Sequence, residues 1–151
     1  MREHKKLFAL TVLGVGAAVS LGMGTAAQTA QETFRLASVA GQPLPALIEQ
    51  EGDCREELTA ATLTLETNGR WMLVSTEREV CGTRVDDEEE RENGTYTTER
   101  QTLRFLDDDG KPPVDDDDDE LDVSDLVTGT RSADGLVVRL ADGKTDLTFR
   151  R

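Results

Sequence analysis

From about residue 30 onward, short runs of alternating apolar and polar residues recur. Asn-Gly and Asp-Gly pairs punctuate them: Asn68-Gly69, Asn93-Gly94, Asp109-Gly110, Asp134-Gly135 and Asp142-Gly143. A period of two sends successive side chains to opposite faces of a strand. Asn-Gly and Asp-Gly tolerate the positive φ of tight hairpin turns and are the strongest short-range hairpin signal a sequence offers. Together they constrain the chain to an antiparallel meander. They name a fold and no reaction.

The alternation predicts eight strands, at 33–39, 61–67, 70–80, 94–99, 102–106, 125–131, 136–141 and 145–150. Phe34 and Leu36 share one face of the first, Leu63 and Leu65 one face of the second, and Trp71 and Leu73 one face of the third. Tyr96, Leu103, Phe105, Val138 and Phe149 continue the same inward set. Eight sequential strands with one apolar face must hide that face, and closure into an up-and-down barrel does so while removing both sheet edges. A two-sheet sandwich is the rival. In a barrel, Phe34 and Phe149 face one core and their strands pair. Residues 46–57 read as a long connection holding Cys54, and 86–92 as a solvated acidic loop. Residues 107–122, with Pro112-Pro113 and the aspartates 115–119, read as a longer acidic loop, since prolines and like charges make neither ladder nor core. Asn93-Gly94 is expected to launch a strand out of the shorter acidic loop.

The first residues read as a secretory signal. Arg2, Lys5 and Lys6 precede an uncharged stretch, 7–24, and small residues at 25–27 then offer a cleavage site after Ala27, with Ala30 as the alternative. An uncleaved anchor is the other reading, because 18 uncharged residues are borderline for a span. No cysteine follows the stretch to take a lipid. The expectation is therefore a signal at 1–27 and a barrel domain at 28–151, exported to the periplasm or the exterior, with no membrane span after cleavage.

Removing 1–27 takes away Arg2, Lys5, Lys6 and Glu3. What is left has 14 basic and 30 acidic side chains, a net charge of −16 over 124 residues. That length encloses one core and suits a monomer. So acidic a surface repels nucleic acid and anionic membranes, and attracts basic proteins or metal cations. Only Lys111 and Lys144 remain as lysines beside twelve arginines, a balance that salt adaptation and a GC-rich genome both produce. Two cysteines remain, Cys54 and Cys81. In an oxidising compartment their even number favours a disulfide over free thiols or a metal pair.

The order Phe34-Arg35-Leu36, Gly41-Gln42-Pro43-Leu44-Pro45, Leu63-Thr64-Leu65, Asn68-Gly69-Arg70-Trp71, Gly94-Thr95-Tyr96, Thr128-Gly129-Thr130 and Leu147-Thr148-Phe149-Arg150-Arg151 resembles the small exported bacterial lipocalin-like domain proteins. The resemblance covers nearly all the mature chain. It implies an eight-stranded barrel and a small apolar cavity, without a common ligand or catalytic residues. The acidic stretches at 86–92 and 107–122 depart from that pattern.

Several chemistries are excluded outright. His4 is the only histidine and lies in the signal, so no Ser-His-Asp or Cys-His pair, no H-E-x-x-H zinc site and no imidazole acid–base pair can form. No phosphate-binding glycine loop is present. With 30 acids, a pair of carboxylates is expected by chance and none is singled out. No enzyme is expected. Two readings remain. In the first, Phe34, Leu36, Leu63, Leu65, Trp71, Leu73, Tyr96, Leu103, Phe105, Val138 and Phe149 line a cavity for a small apolar ligand, or fill a barrel with a passive envelope role. In the second, the acidic loop recruits a basic protein or a divalent cation. Calcium takes six to eight oxygens, which Asp107, Asp109, Asp115 and Asp117 could help supply. The EF-hand register fails there, because it puts Phe105 at the first ligand position.

Overall fold

One strand closes the sheet. β1 (Gln31–Val39) pairs antiparallel with β4 (Cys54–Glu66) over its first half, Phe34 opposite Leu63. Over its second half it pairs with β10 (Asp146–Arg150), Leu36 opposite Phe149. The other strands run in sequence between these two: β5 (Arg70–Cys81), β6 (Arg84–Glu99), β7 (Thr102–Asp107), β8 (Leu126–Arg131) and β9 (Gly135–Leu140), each pairing with its neighbours. The result is a closed, antiparallel, eight-stranded barrel. Two further strands, β2 (Gln42–Pro43) and β3 (Ala46–Glu51), attach outside the closed ring to β1 and β4. The computed structural model describes residues 30–113, 122, 123 and 125–151. The signal segment expected at 1–27 lies outside the described residues.

The alternation of the sequence explains the closure. Phe34 and Leu36 are buried while Arg35 between them is exposed, and Phe149 and Leu147 repeat the pattern on β10. Rolling the sheet up brings these faces together with Leu63, Leu65, Trp71, Leu73, Leu103, Phe105, Leu136 and Val138 in one buried cluster. Each such side chain contributes roughly 1.5–3 kcal/mol by leaving water. Trp71 meets Phe105 edge to face, with ring centroids 6.0 Å apart. Its indole N–H donates to the Leu106 carbonyl at 3.1 Å. Beside Phe34, Glu32 accepts from Arg131 and, at 2.7 Å, from Arg151, and both guanidiniums lie against the Phe34 ring.

The hairpin tips at Asn68-Gly69, Asp134-Gly135 and Asp142-Gly143 join β4–β5, β8–β9 and β9–β10 as the sequence predicts. Three expectations need correction. Residues 46–57 are not a connection: they form β3, a tight turn at Gly52-Asp53 and the start of β4. Residues 86–92 are not a loop: they belong to β6 and pair in full register with β5, Glu77 opposite Glu88. Asn93-Gly94 consequently sits inside a strand rather than at its start. The cause is shared. β4 and β5 are 13 and 12 residues long and run past the barrel rim, and their extra length supplies ladder partners to segments too polar to be strands alone.

Candidate functional site

The overlong strands make a four-stranded extension, β3-β4-β5-β6, that stands off one end of the barrel. Its two tips are Gly52-Asp53 and Gly82-Thr83, where glycine takes φ +59° and +61° at the first turn position, the requirement of a two-residue hairpin with glycine first. Cys54 and Cys81 are directly opposed on β4 and β5 and are joined as a disulfide, closing a 27-residue separation. The staple thus ties two adjacent strands at the far end of the extension.

Strand parity then sorts the charges. The outer face is balanced: Glu57 opposes Arg78, which opposes Asp87, and the Arg78 Nε–H donates to Asp87 at 2.7 Å. Arg55 pairs with Glu57 at 2.8 Å on the same side. The inner face carries an acidic excess: Arg84 pairs with Asp86 at 2.5 Å near the tip, and the remaining carboxylates outnumber it. One row across all four strands reads Glu49, Glu56, Glu79 and Asp86, each the register partner of the next. The row nearer the barrel reads Ala46, Leu58, Glu77 and Glu88. Like charges directly opposed on one face destabilise a sheet, and here they are stacked two rows deep. The carboxylates of both rows, with Glu51, Cys54 and the Arg55 side chain, line a concavity of about 180 Å³.

Electrostatics follows from that crowding. The Glu77 carboxyl is pushed up to about 7, first by burial, then by the charges of Glu90 and Glu56 and a hydrogen bond with Glu56. Burial and the charges of Asp122 and Glu90 raise Glu92 in the same direction. Because the folded protein holds a proton on Glu77 that the unfolded chain releases near 4.5, the folded state binds more protons between pH 4.5 and 7. Stability therefore rises as pH falls from 8 to 5, the reverse of the usual salt-bridged carboxylate. The contribution is about 1 kcal/mol once solvent screening of this partly exposed group is allowed for. Glu77→Gln should stabilise the protein by about that amount at pH 8 and flatten its melting profile between pH 5 and 8. Thermal melts across that range check it, and a variant less stable than the parent at pH 8 would contradict the assignment.

The residues singled out from sequence fall elsewhere. Phe34, Leu36, Leu63, Leu65, Trp71, Leu73, Leu103, Phe105, Val138 and Phe149 are buried in the one core, packed on each other. Tyr96 is half-buried beside them and donates its phenol hydrogen to the Glu66 carbonyl at 2.7 Å. In the acidic loop, Asp109 is held below the usual carboxylate range by Lys111, whose ammonium donates to it at 2.6 Å. Asp107 is raised by burial and by its neighbours Asp109 and Asp108. Asp115 and Asp117 lie outside the described residues. The sulfurs of Cys54 and Cys81 lie close to a Glu79 oxygen, but they are bonded to each other and offer no thiolate. The carboxylates of the extension, Glu49, Glu51, Glu56, Glu77, Glu79, Asp86 and Glu88, were not singled out from sequence. The signal that would have found them is the pair of glycine-first turns flanking overlong strands, together with the shared parity of 77 and 79 and of 86, 88, 90 and 92.

Among the described residues no helix is long and apolar enough to cross a membrane. No family model, curated protein or solved structure matches the chain.

Proposed function

We propose that this chain is an exported, non-catalytic, lipocalin-like barrel that binds a cationic partner on the acidic inner face of its extension. The observation that carries this reading is the contrast between the two faces of one sheet. The outer face pairs Arg78 with Asp87 and Arg55 with Glu57, while the inner face sets Glu49, Glu56, Glu79 and Asp86 side by side. Among the described residues of the extension Arg84 is the one arginine with inner-face parity, and it offsets Asp86 alone, so the face keeps a large acidic excess that a sheet stabilised only for its own sake would not carry. Local rules are broken in this way chiefly where a surface serves a partner. The carboxylates are spread across four strands spaced about 4.8 Å apart rather than gathered at one point. That spread suits an extended polycation, such as a basic protein segment, better than a single calcium ion, whose oxygens must all lie within about 2.6 Å of it.

The close packing of Phe34, Phe105 and Phe149 in the core supports a structural role for the barrel interior, and the lack of any histidine beyond His4 supports a role without catalysis. The Cys54–Cys81 disulfide is in keeping with export. Calorimetry with a lysine-rich peptide at low salt tests the reading. The parent should bind, and affinity should fall steeply as salt is raised. Neutralising Glu56, Glu77, Glu79 and Glu88 together to glutamine should weaken binding by about tenfold or more, since each charged hydrogen bond lost costs roughly 1.5–3 kcal/mol. Unchanged affinity in that variant would refute the proposal.

A further inference from the structure

The extension has an unpaired edge. Residues 84–92 of β6 pair with β5, and β7 joins β6 only from Gly94 onward. Among the described residues this leaves nine residues of strand, roughly 30 Å at 3.3 Å each, with one side of the backbone without a ladder partner. The direction of each group follows from the turn. A two-residue hairpin makes its flanking residues, Cys81 and Arg84, a hydrogen-bonded pair. A strand residue turns its N–H and its C=O to the same side. Cys81 therefore turns its backbone groups toward β6 and forms a non-hydrogen-bonded ladder pair with Cys54, in keeping with their 4.2 Å Cα separation. By the same alternation Val85, Asp87, Glu89 and Arg91 turn their N–H and C=O groups outward, four donors and four acceptors at ladder spacing.

Such an edge is a template for another strand, and proteins ordinarily blunt it with bulges, prolines or inward-pointing charge. Here the register with β5 is unbroken through residues 84–92 and the segment holds no proline. What it has is charge, with six carboxylates against Arg84 and Arg91. A second copy laid along this edge would set acid against acid. An extended segment rich in lysine or arginine would instead place its alternate side chains beside Glu88, Glu90 and Glu92 on the inner face, Asp86 being paired with Arg84. Addition of a strand at a free edge takes its affinity from main-chain hydrogen bonds and its selectivity from the side chains alongside.

We infer that the outer edge of β6, residues 84–92, docks an extended basic segment of another protein as an added antiparallel or parallel strand. This rests on the reading of the inner face as a cation-binding surface and specifies how the partner lies on it. The probe is a nine-residue peptide alternating lysine with valine, its termini blocked, titrated into the full chain at low salt. A second peptide has the same sequence with every internal amide N-methylated, which keeps its charge and removes its strand hydrogen bonds. The unmodified peptide should bind about tenfold or more tightly than the methylated one, as expected for the loss of several main-chain bonds. Glu89→Pro removes one outward N–H without touching the β5 ladder. It should weaken the unmodified peptide about fivefold, as the loss of one main-chain bond would, and leave the methylated peptide unchanged, while Glu89→Gln should leave the unmodified peptide within about twofold, as a single exposed charge would. Equal binding of both peptides overturns strand addition and leaves the acidic surface standing. Binding of neither overturns both. Dimerisation of the parent that Glu89→Pro abolishes would assign the edge to a second copy and overturn the choice of partner.

Discussion

Gly94→Ala is expected to be among the most damaging single substitutions in the barrel. Gly94 is the register partner of Trp71 on one side and of Asp107 on the other. A Cβ there would stand 2.1 Å from the Leu106 carbonyl oxygen and 2.6 Å from the Trp71 indole nitrogen. Both atoms belong to the hydrogen bond that holds the indole against β7. One of them is backbone in a paired strand and cannot swing aside. Either β6 and β7 separate or the indole leaves its place in the core, and both outcomes cost packing as well as a bond. The expected loss is about 3–5 kcal/mol, the range of overpacking combined with a broken buried bond. Urea unfolding followed by fluorescence reads it directly, because Trp71 is the only tryptophan. The variant should show a lower midpoint and an altered native emission maximum. A change below about 1 kcal/mol would mean that the close approach is absent.

Replacing both Cys54 and Cys81 by serine is expected to cost about 3.5 kcal/mol for a loop of 27 residues in the chain-entropy picture. The damage should not be uniform. The disulfide lies at the tip of the extension, beyond the rows where Glu49, Glu56, Glu79 and Asp86 oppose one another. Without the staple, that repulsion acts on a sheet with few apolar contacts and two turns at its end. Amide hydrogen exchange should accelerate across 47–57 and 77–92 while β8, β9 and β10 keep their protection. Salt should restore part of the loss by screening the carboxylates. Uniform acceleration through the barrel, or no response to salt, would show that the inner-face repulsion is not what the disulfide opposes.

The barrel was legible because its signals are local. Phe34, Leu36, Leu63, Leu65, Trp71 and Leu73 alternate cleanly, and Asn68-Gly69, Asp134-Gly135 and Asp142-Gly143 mark the reversals. Closure followed from the need to hide one face, and the pairing of β1 with β10 through Leu36 and Phe149 separates the barrel from the sandwich. The extension was not legible, for a physical reason. Residues 84–92 carry six carboxylates and only one aliphatic side chain, Val85, so neither propensity nor burial marks them as strand. They are strand because β5 presents a ladder and because Gly82-Thr83 returns the chain onto it in register. Long-range pairing overrides composition there. The glycine-first turns Gly52-Asp53 and Gly82-Thr83 were the available signal, weaker to the eye than Asn-Gly but equally specific in mechanism. The disulfide was expected from parity and compartment, but its register as a directly opposed pair depended on strands that the composition concealed. In the sequence, acid is densest in 86–92 and 107–122, the two stretches that interrupt the alternation. The structure instead gathers Glu49, Glu56, Glu77, Glu79, Asp86 and Glu88 from four strands onto one face, and no linear stretch shows that convergence.

The central claim is that recognition resides on the acidic inner face of the extension and not in the barrel interior. Backbone amide chemical shifts followed during titration with a short lysine-rich peptide test it most directly. The perturbed amides should concentrate in 49–58, 75–81 and 84–92, and those of Phe34, Leu103, Val138 and Phe149 should stay in place. Perturbations spread evenly over the surface, or centred on the core residues, would contradict it.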